Sequence, residues 1–234
     1  MLHYFKRWFP ARDEVQKPKK AIRQAVSLLR REYDGIPLDK KSVDADPLKQ
    51  FSKWFAIAVK EIKNDPNAMI LGSTSREGQP ATRTVLLKGF DEEGFIFYTN
   101  YESRKAKDLA ENNKVSLTFY WPDLMRQIHI QGVVEKISEE MSDQYFKSRP
   151  VGSKLGAWSS KQSSVIESRE VLEENLRTIE KKFSGSEIPR PANWGGYRVI
   201  PHRFEFWQGR LNRLHDRIVY RFEGTEWVIE RLSP

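Results

Sequence analysis

The chain has no cysteine in 234 residues. That absence excludes disulfides, thiolate nucleophiles and the common cysteine-based zinc sites. Histidine is almost as scarce. His3, His129, His202 and His215 are scattered, with no HExxH or other close ligand pair, so no metal is expected. Neither GxGxxG nor GxxxxGK followed by Ser or Thr occurs, so any bound phosphate must be held by side chains or a helix N-terminus instead of a glycine-rich loop. No apolar run approaches the roughly 20 residues of a membrane helix, and residues 1–30 lack an uninterrupted signal-peptide core. A cytosolic protein with no membrane partner is the expectation. Internal repeats and low-complexity tracts are also missing.

What is present describes a folded, basic protein. Hydrophobic residues make up 38% and aromatic residues 12%, with seven Trp, enough to fill a proper core and to argue against disorder. The net charge of +8 favours anionic partners: nucleic acid, acidic membrane or phosphorylated small molecules. Residues 1–19 read as a loosely held basic arm carrying Lys6, Arg7, Arg12, Lys17 and Lys19. Ile22, Ala25, Val26 and Leu29 then recur at helical spacing up to Tyr33. The division expected is a flexible basic arm over 1–29 and one domain over 30–234.

Asp46-Pro47 supplies an N-cap followed by proline at the first helical position, predicting a helix to about Lys63 with Leu48, Phe51, Phe55, Ala58 and Ile62 buried. Strand periodicity follows at 68–74, 81–90, 95–100, 115–121 and 127–137, separated by the turn signals Arg76-Glu-Gly78, Asp91-Glu-Glu-Gly94 and Pro122-Asp123. Helices are predicted at 103–111, 138–147 and 168–183, with Ser103, Ser138 and Ser168 as caps. Three closing strands lie near 197–200, 203–208 and 218–230, the last folded at Gly224. Consecutive short antiparallel strands with peripheral helices predict a mainly β, α+β barrel.

Chemistry concentrates in Phe204–Arg217, which holds two Phe, one Trp, one His and three Arg. Alternation puts Phe204, Phe206 and Gln208 on one side and Glu205 and Trp207 on the other, and Gly209 allows a bulge or close backbone approach. Arg213, His215 and Arg217 can share a face beyond it. Planar guanidinium and indole groups suit a flat anionic ligand, and His215 can exchange a proton near neutrality. The bland alternative is an edge strand with solvated arginines. Arg83 and Lys88 bracket an apolar run, and a separation of five residues puts them on opposite faces of an unbroken strand, facing two anions or simply solvating its ends. Tyr98, Thr99, Ser103, Arg104 and Lys105 gather where a strand meets a helix N-terminus, a place suited to phosphate. Gln127, His129 and Gln131 share a polar strand face, with His129 read as structural. Tyr145, Arg149 and Ser153 surround a Pro/Gly turn and form a second candidate phosphate clamp.

Taken in order, RTVLLK, FYTNYESRKA, RQIHIQG, YFKSRPVGSKLGAWSSKQSS, WGGYRV and EFWQGRLNRLHDR resemble the pyridoxine (pyridoxamine) 5'-phosphate oxidase family over about Arg30 to Pro234. The resemblance implies a homodimer of FMN-binding split β-barrels with sites at the subunit interface. It implies FMN contacts from the run Arg83, Thr84, Val85, Leu86, Leu87 and Lys88, and from Tyr98, Thr99, Ser103, Arg104 and Lys105. Gln127, Gln162, Ser163, Trp207 and Arg217 would line the rest of the flavin site. Substrate phosphate would fall to Lys88, Tyr145, Arg149 and Ser153, with Arg213 and His215 as catalytic groups against the pyridine ring. Arg30 and Tyr33 belong to a segment that would close over it. The implied reaction takes two electrons from C4' of pyridoxamine or pyridoxine 5'-phosphate, giving pyridoxal 5'-phosphate, with O2 as acceptor and H2O2 as product. Three rivals remain at this stage: another flavin-dependent split-barrel enzyme, a non-catalytic carrier of pyridoxal phosphate, and a basic RNA-binding module.

Overall fold

The computed structural model describes residues 25–26 and 28–234. The arm expected over 1–19 and the start of the first predicted helix lie outside them. Ala25, Val26 and Leu28 are helical, but Leu29 to Asp39 have no regular structure, so the helix expected to reach Tyr33 does not. Tertiary contact overrides propensity here: the Tyr33 ring packs edge-on against Trp207 at 5.7 Å.

Helix α1, Pro47–Glu61, starts where the sequence predicts, with the Asp46 carboxylate accepting the Leu48 N–H at 2.8 Å. Its buried face is Gln50, Phe51, Trp54 and Ala58, while Leu48, Phe55 and Ile62 pack at its margins. Phe51 is fully buried and meets Phe55, Phe90, Phe95 and Phe119 with ring centroids 4.8–5.4 Å apart. This aromatic cluster fills the concave side of the sheet.

Among the described residues nine strands form one antiparallel sheet: β1 Ala68–Thr74, β2 Pro80–Leu86, β3 Gly89–Asp91, β4 Gly94–Asn100, β5 Lys114–Trp121, β6 Arg126–Lys136, β7 Trp194–Gln208, β8 Asp216–Glu223 and β9 Glu226–Leu232. Their order is β2-β1-β5-β6-β7-β4-β3, with β8 and β9 extending from β7. Two departures from the sequence reading matter. The predicted strand 81–90 is two strands, broken at Leu87–Lys88, where Leu87 N–H bonds Asn67 O and Lys88 N–H bonds Ile96 O. Conversely, the strands expected at 197–200 and 203–208 are one. β7 runs through Pro201, which lacks a donor, by slipping register against Gln131/Gly132, the bulge that proline requires.

The break at Leu87–Lys88 shapes the molecule. β2 and β3 are opposite ends of the strand order yet consecutive in sequence, so the sheet curls until its two edges meet. β3 pairs with β4 only at Gly94–Ile96, leaving Phe97–Asn100 facing edge strand β2 across a split. Around it sit α2 (Arg104–Glu111), α3 (Glu139–Ser148), α4 (Val151–Ser159) and α5 (Arg169–Lys182). Ser103 and Ser138 cap α2 and α3 as predicted, whereas the Ser168 side chain caps nothing. Helix α4 was not expected. Pro150 forces Arg149 into the extended region, ending α3, and a new helix starts in place of the predicted turn. Among the described residues no helix is long and apolar enough to cross a membrane.

Replacing Phe51 by Ala is expected to cost about 3–5 kcal/mol. Chemical denaturation measures it, and a loss below about 1 kcal/mol contradicts the role assigned to the cluster.

Candidate active site

The split opens into a cavity of about 850 Å³. Its wall includes Arg83, Lys88, Arg104, Lys105 and Arg149 and, among the described residues, no Asp or Glu. Arg83 and Lys88, expected on opposite faces of one strand, line it together because the strand breaks between them.

At one part of the wall, Arg83 reaches from β2 to Ser73 Oγ at 2.7 Å and lies 3.6 Å from Asp108, the one carboxylate paired with any of the five cations among the described residues. Lys105 Nζ, on the first turn of α2, bonds only to neutral groups: Thr99 Oγ1 at 3.0 Å, Gln162 Oε1 at 3.2 Å and Ser103 Oγ at 3.5 Å. Burial, reinforced by the nearby Arg83 charge, pushes the Lys105 pKa down. Burial also lowers that of Arg83, and Arg104 adds to the effect. These cations repel one another at a helix N-terminus, so the arrangement favours an anion.

Elsewhere on the wall, Arg149 leaves the end of α3 and lies over the Trp194 ring at 4.5 Å. Its Nη1 is buried without a hydrogen-bond partner, and desolvation lowers its pKa. An unpaired buried guanidinium nitrogen is costly, and a phosphate oxygen would satisfy it. Tyr98 and Tyr145 stack with centroids 3.8 Å apart, while Ser153 joins the wall from α4. Ser163, also on the wall, adopts a left-handed backbone at φ 72°, a strained conformation of the kind that collects at functional sites.

Of the residues singled out from sequence, Thr84, Val85, Leu86, Tyr98, Thr99, Gln162 and Ser163 join the five cations, Tyr145 and Ser153 on this wall. Leu87 does not, because its side chain is buried in the core. Ser103 is fully buried behind Lys105 as the helix cap.

Arg30, Tyr33, Gln127, Trp207, Arg213, His215 and Arg217 are absent from the cavity wall. Apart from the exposed Arg30, they gather around the end of β7. Trp207 pairs across the ladders with Gln127 and Arg217. The His215 ring lies 4.7 Å from Trp207 and 5.3 Å from Tyr33, and the Arg213 guanidinium 5.6 Å from Tyr33. A Cβ at Gly209 would fall 2.5 Å from the Tyr33 ring, so the close approach expected there occurs. The shared face expected for Arg213, His215 and Arg217 does not. Asn212 and Arg213 turn the chain at φ 56° and 62°, and Arg217 instead bonds Glu205 at 2.7 Å. His215 Nδ1 accepts the Arg210 backbone N–H at 3.1 Å, so the neutral ring carries its proton on Nε2. Burial and the Arg213 charge lower its pKa, favouring that neutral form. It offers this surface an N–H donor. Trp194 on the cavity wall and Glu205, which accepts from Arg217, were not singled out as candidates; the WGGYRV motif held the signal for the first, and the second gave none beyond strand alternation.

A curled antiparallel half-barrel, with a cavity in its split whose charged wall residues among the described residues are all cations, defines a split-barrel protein with a site suited to anionic ligands. Two family models match: Pyridoxamine 5'-phosphate oxidase over residues 55–183, and Pyridoxine 5'-phosphate oxidase C-terminal dimerisation region over 194–234. The pyridoxine/pyridoxamine 5'-phosphate oxidase of Acaryochloris marina is 52% identical over 210 residues, covering 90% of this chain and 96% of that protein. The enzyme of the same name from Rubrobacter xylanophilus is 51% identical over 212 residues, covering 91% and 98%. Among solved structures, PhzG from Burkholderia lata, in complex with tetrahydrophenazine-1-carboxylic acid, superposes with a TM-score of 0.81 at 28% identity, covering 87% of this chain and all of that one. An FMN-binding protein of Nostoc punctiforme shares the fold, with a TM-score of 0.65 at 17% identity over 82% of this chain and all of that one. This chain belongs to the pyridoxamine 5'-phosphate oxidase family and is an oxidoreductase.

Inorganic phosphate at several times its dissociation constant is expected to raise the thermal midpoint by about 2–4 °C. In Lys105→Met the rise should shrink by at least about half, and an equal rise in both proteins contradicts anion binding at α2.

Proposed function

We propose that the protein oxidises pyridoxamine and pyridoxine 5'-phosphates to pyridoxal 5'-phosphate with FMN as cofactor, O2 as acceptor and H2O2 as product. The observation that carries this is the carboxylate-free wall with two separate cationic places, since the reaction brings two phosphate esters to one cleft. The residues fit FMN. Arg83, Arg104 and Lys105 would hold its phosphate at the α2 N-terminus. Edge strand β2 has no ladder partner on its outer side, which leaves Thr84 to Leu86 free to meet a flat heterocycle with backbone N–H and C=O groups.

When bound, FMN supplies the redox chemistry, taking the electron pair from C4' and passing it to O2. The protein's own residues bind and orient. Lys88, Tyr145, Arg149 and Ser153 would hold the substrate phosphate, fixing where C4' lies. Arg213 would polarise the reacting region, and the His215 Nε2–H would donate to a substrate oxygen or nitrogen. For the amine, the balance is ester plus water plus O2 giving aldehyde, ammonia and H2O2.

Gln127, Trp207, Arg213, His215 and Arg217 reach this chemistry only if a second copy brings them to the split. We therefore infer a homodimer whose two sites each combine the split of one protomer with the β7 end of its partner. The dimerisation-region match over 194–234, which contains all of these except Gln127, supports it. Arg30 and Tyr33 would close the same site. Within this proposal residues 30–234 act as one FMN-binding split-barrel unit, residues 1–29 as an appended arm, and the reaction runs in the cytosol. A tricyclic carboxylic acid, as bound by the Burkholderia relative, would leave the Arg149 clamp without a phosphate, so the B6 ester is the better fit.

The purified protein should be yellow, releasing flavin on denaturation, and should convert pyridoxamine 5'-phosphate to aldehyde with matching peroxide. Arg149→Ala is expected to raise KM for the ester by about 10- to 100-fold while changing FMN affinity less than about twofold. Unchanged KM removes the clamp, and colourless protein that FMN cannot reconstitute removes the reading altogether.

A further inference from the structure

WGGYRV entered the family resemblance as a motif without a task. In the structure its Trp194 begins β7 and lies on the cavity wall, only 7% exposed. Three rings lie nearly parallel there. Tyr98 of β4 stacks on Tyr145 of α3 at 3.8 Å and 12°, and on Trp194 at 5.4 Å and 6°. Phe146 closes one side, edge-on to Trp194 at 5.1 Å. The Arg149 guanidinium rests on this assembly, 4.5 Å from the Trp194 ring and 5.4 Å from that of Phe146.

The second glycine of the motif makes the stack possible, and the first gives room to the Tyr101 hydroxyl. A Cβ at Gly195 would lie 2.2 Å from the Tyr101 hydroxyl, and one at Gly196 would lie 2.9 Å from the Tyr98 ring and 2.3 Å from Ile137. A side chain at Gly196 would displace the Tyr98 ring on which Trp194 stacks, and one at Gly195 would displace Tyr101. Arg149, for its part, has no carboxylate to aim it among the described residues and leaves Nη1 unbonded. A guanidinium with no acceptor has several rotamers open to it, and the aromatic face selects one.

We propose that Trp194 is a positioning residue for phosphate recognition: its indole, fixed by Tyr98 and Tyr145, holds the Arg149 guanidinium toward the cavity, so that phosphate selectivity depends on a side chain that bonds no phosphate. The proposal rests on the reading that Arg149 takes the substrate phosphate. It adds that the arginine is effective only while stacked.

The test is a double-mutant cycle on the FMN-loaded protein, using Trp194→Leu, Arg149→Ala and both together, with pyridoxamine 5'-phosphate as substrate and calorimetric binding of pyridoxal 5'-phosphate as a second readout. Trp194→Leu should raise KM and the dissociation constant about tenfold while kcat and FMN affinity stay within about twofold. In the Arg149→Ala background the same change should add less than about twofold. Trp194→Phe should restore most of the affinity, since it keeps a ring under the guanidinium. Should the Leu variant not fold, Trp194→Phe in both backgrounds carries the cycle, with about threefold weakening expected only where Arg149 is present. Equal losses with and without Arg149, or an unchanged KM, overturn the proposal and leave the function intact. A wild-type protein that neither binds nor oxidises the ester overturns both.

Discussion

Among the described residues, five cations and no carboxylate line one cavity, and this imbalance governs the molecule. Burial lowers the pKa values of both Arg83 and Lys105, and the neighbouring cations beside the helix N-terminus lower them further, so the charged forms are disfavoured without an anion. Asp108 offsets only part of this cost, through Arg83. Binding a phosphate monoester returns that energy, so affinity is built into the fold before any ligand arrives.

The fold exists to keep those charges close. Sequence-adjacent strands β2 and β3 occupy opposite ends of the sheet, so the sheet must curl, and the Phe51 cluster fills the resulting concave side. The seam stays open because β3 is only three residues long. Edge backbone, the α2 terminus and the α3–α4 joint therefore converge without plugging the gap. A second group, centred on Trp207, stands at the far end of β7, where aromatic packing holds His215 and the chain turns through an unusual backbone at Asn212 and Arg213. On the proposed reading one chain holds two half-sites, and two-fold association of like chains is the economical way to join them.

Much of this was legible in residue order. Alternation located nearly every strand because one face is buried, and Asp46, Ser103 and Ser138 announced their helices through the free N–H groups they accept. Three features were not legible, each for a physical reason. The break at Lys88 depends on hydrogen bonds to Asn67 and Ile96, residues distant in the chain, and it reversed the expected separation of Arg83 and Lys88. Helix α4 was hidden because Pro150 and Gly152 read locally as a turn, although proline is equally at home at a helix start. Glu205 looked like an ordinary outward strand residue; only the folded ladder shows it buried between Arg203 and Arg217. Motif order supplied the candidate site residues but could not say which of them share a wall within one chain.

The central claim is that each active centre draws Arg83 from one protomer and Arg217 from the other. Subunit complementation tests it directly: inactive Arg83→Ala and inactive Arg217→Ala proteins are unfolded together, refolded as mixed dimers and assayed. Half of the dimers should then be mixed, each with one intact centre, restoring about a quarter of wild-type activity per site. Confirmed mixed dimers that show no activity above the two parents would contradict a centre shared across the seam.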